Sequence, residues 1–193
     1  MPPADPFQHF AMWFADAAAS EPNDPNAMTL ATATPDGLPS ARVVLLKEYD
    51  ARGFVFYTNK QSRKGTDLAA NRQAFLLFFW KTLHRQIRIE GAVEDVTDAE
   101  ADTYFASRPR ESRLGAWASQ QSRPLPERAD LLRRLAEADA RYPGETVPRP
   151  PYWSGYRVVP RAFEFWQDMP FRLHERIVYA RSADGWTTGL LYP

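Results

Sequence analysis

The 193-residue chain has no cysteine and only three histidines, His9, His84 and His174, which are scattered along the sequence. The lack of cysteine excludes disulfide bonds, thiolate catalysis and cysteine metal ligands. Three dispersed histidines argue against a zinc site, so we expect no bound metal. No apolar run reaches membrane-spanning length, and the N-terminus lacks the pattern of a signal peptide. The sequence therefore predicts a cytoplasmic protein that does not enter the membrane.

An excess of charge of either sign is also absent. Lys and Arg total 24, Asp and Glu total 24, and the formal net charge is zero. This balance argues against nucleic acid or an anionic membrane as a partner attracted by bulk charge. Gly-rich phosphate loops of the dinucleotide-binding or Walker type do not occur, and paired carboxylates near a nucleophile are not evident. A reaction through a covalent nucleophile therefore finds no support.

Hydrophobic periodicity and turn residues divide the chain into short strands with helices between them. Asp5-Pro6 predicts the start of an N-terminal helix, Pro35-Asp36-Gly37 predicts a hairpin turn, and Thr97 and Glu100 have capping-box spacing. We predict further helices at 62–71, from 97 to before 109, at 111–119 and at 126–141, and strands at 28–34, 41–47, 54–59, 74–80, 83–94, 156–166, 177–181 and 186–191. The pattern predicts a mainly β, antiparallel barrel with peripheral helices, in one domain over residues 1–193 that starts with a helix and loop at 1–25.

One run near the end of the chain, Arg172-Leu173-His174-Glu175-Arg176, combines two guanidiniums with a histidine. It follows an aromatic-rich strand that includes Phe163, Phe165 and Trp166. Such a combination favours a site for a polar, anionic ligand. A surface ion-pair cluster is the alternative.

Two more clusters have the chemistry of anion clamps. Arg63 and Lys64 lie in the first turn of a predicted helix, where the helix dipole disfavours cations unless an anion is bound there. Tyr104, Arg108 and Ser112 lie where one helix ends and the next begins. An exposed basic turn and a capping cluster are the respective alternatives. Two clamps point to two phosphorylated ligands, one of them a cofactor.

Several other residues are ambiguous. Arg42 and Lys47 bracket an apolar strand, and five residues apart in a strand they would face opposite sides, so they need not share a ligand. Gln86 could bind a planar heterocycle, although a solvated barrel exterior explains it equally well. Trp117 and Trp166 are predicted to be core aromatics.

Taken together and in order, these residues resemble the FMN-dependent pyridoxine/pyridoxamine 5'-phosphate oxidase family, from about residue 28 to residue 193. The segments that carry the resemblance are 41–47, 56–59, 62–64, 85–86, 107–112, 115–117, 120–122, 165–167 and 172–176. The resemblance implies an FMN-binding split β-barrel, Greek-key-like and antiparallel, whose homodimer builds each flavin site from both subunits.

The resemblance also implies roles for individual residues. FMN would be bound by Arg42, Val43, Val44, Leu45, Leu46, Lys47, Tyr57, Thr58, Arg63, Lys64, Gln86, Gln121, Ser122, Trp166 and Arg176. The substrate phosphate would be held by Lys47, Tyr104, Arg108 and Ser112. Arg172, Leu173 and His174 would lie over the substrate ring, with Arg172 and His174 as the catalytic residues.

The activity implied by the resemblance is oxidation of pyridoxamine or pyridoxine 5'-phosphate to pyridoxal 5'-phosphate. Hydride would pass from the substrate C4' to flavin N5, and O2 would reoxidise the flavin and give H2O2. One alternative is a related flavin oxidase of another ring, of the phenazine type, which the clamp at Tyr104, Arg108 and Ser112 disfavours. The other is a flavin-binding or pyridoxal-phosphate-binding protein without catalytic activity.

Three features depart from the family pattern. The basic, tyrosine-containing segment expected before the first helix is missing. Leu190 replaces the arginine of the usual C-terminal Arg-Leu-x-Pro, and Glu175 replaces an aspartate. In the family the missing segment closes over the substrate as a lid. The first two departures therefore concern the completeness of this lid and the turnover rate, and they do not affect the expectation of an FMN cofactor.

Overall fold

Within residues 2–193, which the computed structural model describes, nine strands form one antiparallel sheet with five α-helices around it. The strands are β1 (Ala27–Ala33), β2 (Pro39–Leu45), β3 (Glu48–Asp50), β4 (Gly53–Asn59), β5 (Gln73–Trp80), β6 (Arg85–Asp95), β7 (Trp153–Gln167), β8 (Glu175–Ser182) and β9 (Gly185–Leu190). The helices are α1 (Pro6–Ser20), α2 (Arg63–Ala70), α3 (Asp98–Ser107), α4 (Arg110–Ala118) and α5 (Arg128–Arg141). A short 3-10 turn, Pro170–Arg172, precedes β8.

The sheet curls until its two ends meet. Its strand order is β2-β1-β5-β6-β7-β4-β3, and β8 and β9 extend from the second half of β7. A register shift in β6 at Glu90/Gly91 bends the sheet there, and a Cβ at Gly91 would lie 2.1 Å from the Val159 carbonyl oxygen. Lys47, just after β2, donates its backbone N–H to the Val55 carbonyl of β4 at 2.9 Å. This closure confirms the predicted antiparallel barrel with peripheral helices.

Period-two alternation fills the barrel with apolar side chains. On β5 the buried positions are Ala74, Leu76, Phe78 and Trp80. Helix α1 adds Phe10, whose ring packs edge-on against Phe78 at 5.3 Å. Each fully buried Phe or Leu stabilises the fold by roughly 1.5–3 kcal/mol relative to exposure. This core makes the barrel wall a rigid support for the side chains on its outer surface.

The structure corrects four local predictions. Strand β3 is absent from the predicted strands, because three residues are too few to show alternation; residues 51–52 form the turn that joins it to β4. Strand β2 ends at Leu45 and not at residue 47, and β7 begins three residues earlier than predicted. Trp166 is half-buried at the edge of a cavity and is not a core residue, whereas Trp117 is half-buried and packs against the small cluster of Leu114, Ala138 and Val147.

Among residues 2–193, the structure contains no helix whose length and apolar character would let it cross a membrane.

Candidate functional site

A cleft of about 670 Å³ opens on the barrel wall between β2, β4, α2, α3 and α4. Its lining residues are Arg42, Val43, Val44, Leu45, Lys47, Tyr57, Thr58, Asn59, Lys64, Tyr104, Arg108, Pro109, Ser112, Gly115, Ala116, Ser119, Gln121 and Trp153. Four of these are cations, and among the described residues no Asp or Glu lines the cleft. In a chain of zero net charge this segregation creates a local positive potential suited to anionic ligands.

Arg42 and Lys47 both line this cleft. Strand β2 ends at Leu45, but burial still alternates over residues 42–47, with Leu46 only 4% exposed. The alternation that the prediction assumed therefore does not keep the two cations apart, and both can act on ligands in the cleft.

The guanidinium of Arg42 is held in place by polar groups. Its Nη1 donates to Thr32 Oγ1 at 2.8 Å and its Nη2 donates to Ser40 Oγ at 2.7 Å. The buried carboxylate of Asp67 lies 3.6 Å away. Burial lowers the pKa of Arg42, and the nearby Asp67 opposes that change. Arg42 therefore presents a fixed cation to the cleft.

Lys64 enters the cleft from the first turn of α2. Ser62 caps that helix, and a Cβ at Gly65 would lie 2.1 Å from the Lys60 carbonyl oxygen, so the helix start packs tightly on the preceding turn. Lys64 Nζ donates to Thr58 Oγ1 at 3.3 Å and to Gln121 Oε1 at 3.2 Å. Burial lowers the pKa of Lys64, and the positive charge of Arg42 lowers it further. A bound anion would oppose both effects on the pKa of Lys64, because a nearby negative charge favours the charged ammonium.

The second predicted clamp also lines the cleft, where α3 ends and α4 begins. Arg108 caps the C-terminus of α3, and Ser112 is in the first turns of α4. Burial lowers the pKa of Arg108, and neighbouring Arg113 adds like-charge repulsion. Arg108 Nη1 and Arg113 Nε are buried and have no hydrogen-bond partner. Unpaired buried donors are costly, and Arg108 lines the cleft without an anionic partner among the described residues, so its guanidinium is a candidate to bind an anion there.

An aromatic stack forms part of the wall of the cleft. The rings of Tyr57 and Tyr104 are parallel with centroids 4.1 Å apart, and Trp153 stacks on Tyr57 at 5.5 Å. Lys47 Nζ lies 5.8 Å from the Tyr104 ring. The sequence did not point to Trp153 or Asn59 as site residues. Trp153 follows a proline-rich loop and precedes the predicted start of its strand, so no alternation marked it.

A separate cavity of about 230 Å³ gathers a second set of predicted residues. Gln86, Trp166, Arg172 and His174 line it together with Phe79, His84 and Asp168. His174 Nδ1 lies 2.9 Å from Asp168 Oδ1 and accepts the Met169 N–H at 3.2 Å. Phe171 and Arg172 have positive φ angles of 60° and 62°. This sharp turn sets Arg172 and His174 at the cavity, at a cost in backbone strain that often marks functional segments.

The remaining predicted residues lie outside both cavities. Leu46 is in the core, Arg63 is exposed at the start of α2, and Leu173 is 68% exposed. Ser122 lines a different cavity, beside α5. Arg176 donates from Nε to Glu164 Oε1 at 2.8 Å and from Nη1 to the Tyr192 carbonyl at 2.9 Å. One chain therefore brings together part of the predicted cofactor site and the phosphate clamp, and keeps the Arg172 cavity apart.

The barrel and the carboxylate-free cleft define a split-barrel protein with a cationic ligand site. The pyridoxamine 5'-phosphate oxidase family model matches residues 14–142, and the pyridoxine 5'-phosphate oxidase C-terminal dimerisation region matches residues 153–193. A pyridoxine/pyridoxamine 5'-phosphate oxidase of Novosphingobium aromaticivorans is 63% identical over 100% of this chain and 96% of its own. The chain belongs to the pyridoxamine 5'-phosphate oxidase family and is an oxidoreductase, as the sequence predicted.

Two solved structures agree with this assignment. PhzG from Burkholderia lata 383, in complex with tetrahydrophenazine-1-carboxylic acid, has a TM-score of 0.94 and 36% identity, covering 100% of this chain and 94% of its own. A pyridoxamine 5'-phosphate oxidase-related, FMN binding protein of Nostoc punctiforme has a TM-score of 0.77 at 16% identity, covering 97% and 98%. The second similarity concerns the fold alone, and it confirms the predicted split barrel.

Proposed function

We propose that this chain oxidises pyridoxamine 5'-phosphate or pyridoxine 5'-phosphate to pyridoxal 5'-phosphate with FMN as its cofactor. The observation that carries the proposal is the cleft in which Arg42, Lys47, Lys64 and Arg108 gather, with no carboxylate among the described lining residues. Its cations have different surroundings: Lys64 contacts Thr58 and Gln121, whereas Lys47 and Arg108 lie near the rings of Tyr104 and Trp153. Two clusters suit two phosphorylated ligands, each of which also carries an aromatic ring.

The residues at the α2 end fit the phosphate of FMN. Among the described residues Lys64 has only uncharged oxygen partners, whereas Arg42 is preorganised by Thr32 and Ser40 and lies 3.6 Å from Asp67. A phosphate would supply the negative charge that Lys64 lacks, and Arg42 and Arg63 would contribute further positive charge. When bound, FMN would supply a two-electron acceptor that takes hydride from the substrate and is reoxidised by O2 with formation of H2O2.

The residues at the α3–α4 junction fit the substrate phosphate. Arg108 has a buried, unpaired Nη1 group, and Lys47, Tyr104 and Ser112 line the same part of the cleft. Charge-assisted contacts to Arg108 and Lys47 would anchor the substrate, while Tyr104 and Ser112 would donate hydroxyl hydrogen bonds. Binding at this distance from the reacting carbon would fix the orientation of the substrate ring.

Arg172 and His174 would act on the substrate ring. The hydrogen-bonded turn around Asp168 and Met169 holds His174, and the strained backbone at Arg172 directs its guanidinium to the cavity. Together they would restrict the ring to one orientation and exclude water from it. No general base is needed for this role, because the two side chains orient the substrate rather than remove its proton.

A homodimer would unite the two cavities. Arg172 and His174 do not line the cleft of their own chain, so a second copy is the natural source of this half of the site. Residues 153–193, which match a dimerisation region, also expose large apolar side chains: Phe171 is 93% exposed and Tyr192 is 94% exposed. Exposed apolar groups of this size favour an interface.

We propose further that residues 1–193 act as one cytoplasmic domain.

A phenazine-type flavin oxidase is the second candidate, favoured by the similarity to PhzG. The ligand named with PhzG carries a carboxylate, and a cationic cleft could accept such a group. A doubly charged phosphate nevertheless makes fuller use of Lys47 and Arg108, which would otherwise remain partly uncompensated. The phosphate substrate therefore remains the preferred assignment.

Absorbance spectroscopy tests the proposal directly. The purified protein should show flavin absorbance, and anaerobic pyridoxamine 5'-phosphate should bleach it. The bleaching should be accompanied by formation of pyridoxal 5'-phosphate, and air should then restore the absorbance with formation of hydrogen peroxide. A flavin that pyridoxamine 5'-phosphate does not bleach would contradict the oxidase activity and favour a binding protein. Bleaching by a reduced phenazine carboxylic acid alone would favour the second candidate.

A further inference from the structure

We propose that Trp153 is a positioning residue that holds the guanidinium of Arg108 against its ring face and so keeps the Arg108 donor groups free for the substrate phosphate. The inference rests on the proposed function, in which Arg108 belongs to the substrate clamp. It extends that proposal because Trp153 was not among the residues predicted to bind cofactor or substrate.

The surroundings of Arg108 are aromatic. Its Cζ lies 4.8 Å from the centroid of the Trp153 ring and 5.4 Å from that of Phe105. Within residues 2–193, no carboxylate lies within ion-pair distance of Arg108. Buried Arg157, by contrast, pairs with Glu100 at 2.7 Å. Arg108 is thus oriented by ring faces rather than by an acid.

This difference matters for binding. A carboxylate partner would neutralise the guanidinium and occupy the N–H groups that a phosphate needs. A ring face attracts the cation through its quadrupole and offers no oxygen acceptor that would occupy the N–H groups. The five N–H donors, which lie in the guanidinium plane, remain available at its edge. In agreement with this arrangement, the Nη1 of Arg108 has no hydrogen-bond partner among residues 2–193, and Arg108 itself lines the cleft.

Trp153 is itself held firmly enough to orient another side chain. Only 6% of its surface is exposed, and its backbone N–H donates to the Pro150 carbonyl at 3.0 Å. Its own carbonyl accepts Nη1 of Arg149 at 2.8 Å, and Arg149 also pairs with Asp98 of α3 at 2.8 Å. The ring is therefore tied to the same helix that ends at Arg108, and helix, ring and guanidinium form one unit.

Steady-state kinetics with pyridoxamine 5'-phosphate tests the proposal. Trp153→Leu should raise KM roughly five- to thirty-fold, the range expected for a partly desolvated cation–π contact, with kcat within about two-fold. Trp153→Phe keeps a ring face and should hold KM within about three-fold of the wild type. Trp153→Met also removes the ring and should raise KM as Trp153→Leu does. It takes the place of Trp153→Leu if that variant does not fold.

The matched control is Trp186→Leu. Trp186 also lies under an arginine, with Arg181 Cζ 5.1 Å from its ring, and it lines neither the cleft nor the Arg172 cavity. This control should leave KM within about two-fold. Melting temperature and FMN content should be compared for all variants, because a general loss of structure would lower both and would not single out KM.

A double-mutant cycle identifies the route of action. If Trp153 acts through Arg108, adding Trp153→Leu to Arg108→Ala should raise KM no further. Additive effects, an unchanged KM in folded Trp153→Leu, or an equal rise in Trp153→Phe would each overturn the inference while leaving the proposed function intact. An Arg108→Ala variant with a normal KM would overturn the clamp assignment and this inference together.

Discussion

Lys64 Nζ lies 3.2 Å from Gln121 Oε1, a contact that joins the first turn of α2 to the segment after α4. The same ammonium reaches Thr58 Oγ1, which itself donates to Gln121 Oε1 at 3.1 Å. Three predicted cofactor residues from distant parts of the sequence thus meet around one partly desolvated charge. That charge lacks an anionic partner within the described residues, and this defines the first prediction.

Lys64→Ala should weaken FMN binding about ten-fold or more, because a charge-assisted contact contributes roughly 1.5–3 kcal/mol. The measurement is FMN titration of the apoprotein by fluorescence quenching. Lys60→Ala is the matched control, since Lys60 pairs with Asp95 outside the cleft and should keep wild-type affinity. Unchanged FMN affinity in folded Lys64→Ala would remove Lys64 from the cofactor site.

The strands and the clamps were predictable from sequence for the same reason: their residue types recur in short local patterns. Alternation located β5 and β6, and the unfavourable cations at a helix start pointed to Lys64. Other features depended on long-range geometry. That Arg42 and Lys47 line one cleft depends on how the end of β2 closes onto β4, and Trp153 enters the cleft only because the first residues of β7 pair with β4. Local sequence carries no signal for either.

The two ends of the cleft should be separable by kinetics. Arg108→Ala should raise KM for pyridoxamine 5'-phosphate at least about ten-fold while flavin content stays normal, since the clamp serves the substrate phosphate. Arg172→Ala should instead lower kcat strongly, because orientation over the ring matters most in the hydride-transfer step. The exposed Arg161, which pairs with Glu90 away from both cavities, provides the control Arg161→Ala. Loss of FMN from Arg108→Ala would mean that the clamp binds the cofactor.

A shared site predicts recovery of activity in mixed dimers. If each site takes Arg108 from one subunit and Arg172 from the other, a heterodimer of Arg108→Ala and Arg172→Ala chains has one site with both lesions and one with neither. At a substrate concentration well below the wild-type KM both variants should have low activity, and mixing them by partial denaturation and refolding should restore up to about half of the activity of the wild type per heterodimer. Failure to recover activity in heterodimers verified by differential tags, or a flavin-loaded monomer in sedimentation at micromolar concentration, would contradict the shared site.

The aromatic wall requires a glycine opposite Tyr57. A Cβ at Gly155 would lie 2.7 Å from Tyr57 Cδ1 and 3.1 Å from the Phe56 carbonyl oxygen. Gly155→Ala should therefore lower the free energy of unfolding by about 1–3 kcal/mol through overpacking. Gly144→Ala is the control, because a Cβ added there would meet nothing within 4 Å, and it should change stability by no more than about 0.5 kcal/mol. Chemical denaturation measures both, and equal stability of the two variants would refute the steric argument.

His9 should make the stability of the fold depend on pH. Its ring is 5% exposed, stacks on Phe165 at 3.8 Å and lies 3.0 Å from the Tyr179 hydroxyl. Burial, with a smaller effect from the positive charge of Arg85, lowers the pKa of His9 to about 4. In the unfolded chain the pKa returns to about 6.5, so between these values the unfolded state binds more protons.

The stabilisation from neutral His9 is therefore complete above about pH 6.5 and is lost progressively as the pH falls towards 4. Between pH 7.5 and pH 5 the free energy of unfolding should drop by about 2 kcal/mol through this residue alone. His9→Phe should keep the stacking on Phe165 but lose the hydrogen bond to Tyr179, which should lower the free energy of unfolding at pH 7.5 by about 1 kcal/mol. Because Phe does not titrate, the decrease of about 2 kcal/mol between pH 7.5 and pH 5 should disappear. Urea denaturation at both pH values and one fixed protein concentration measures the free energy of unfolding. The control is His84→Asn, because His84 is exposed. If His9→Phe loses as much stability on acidification as the wild type, His9 is not the group that titrates.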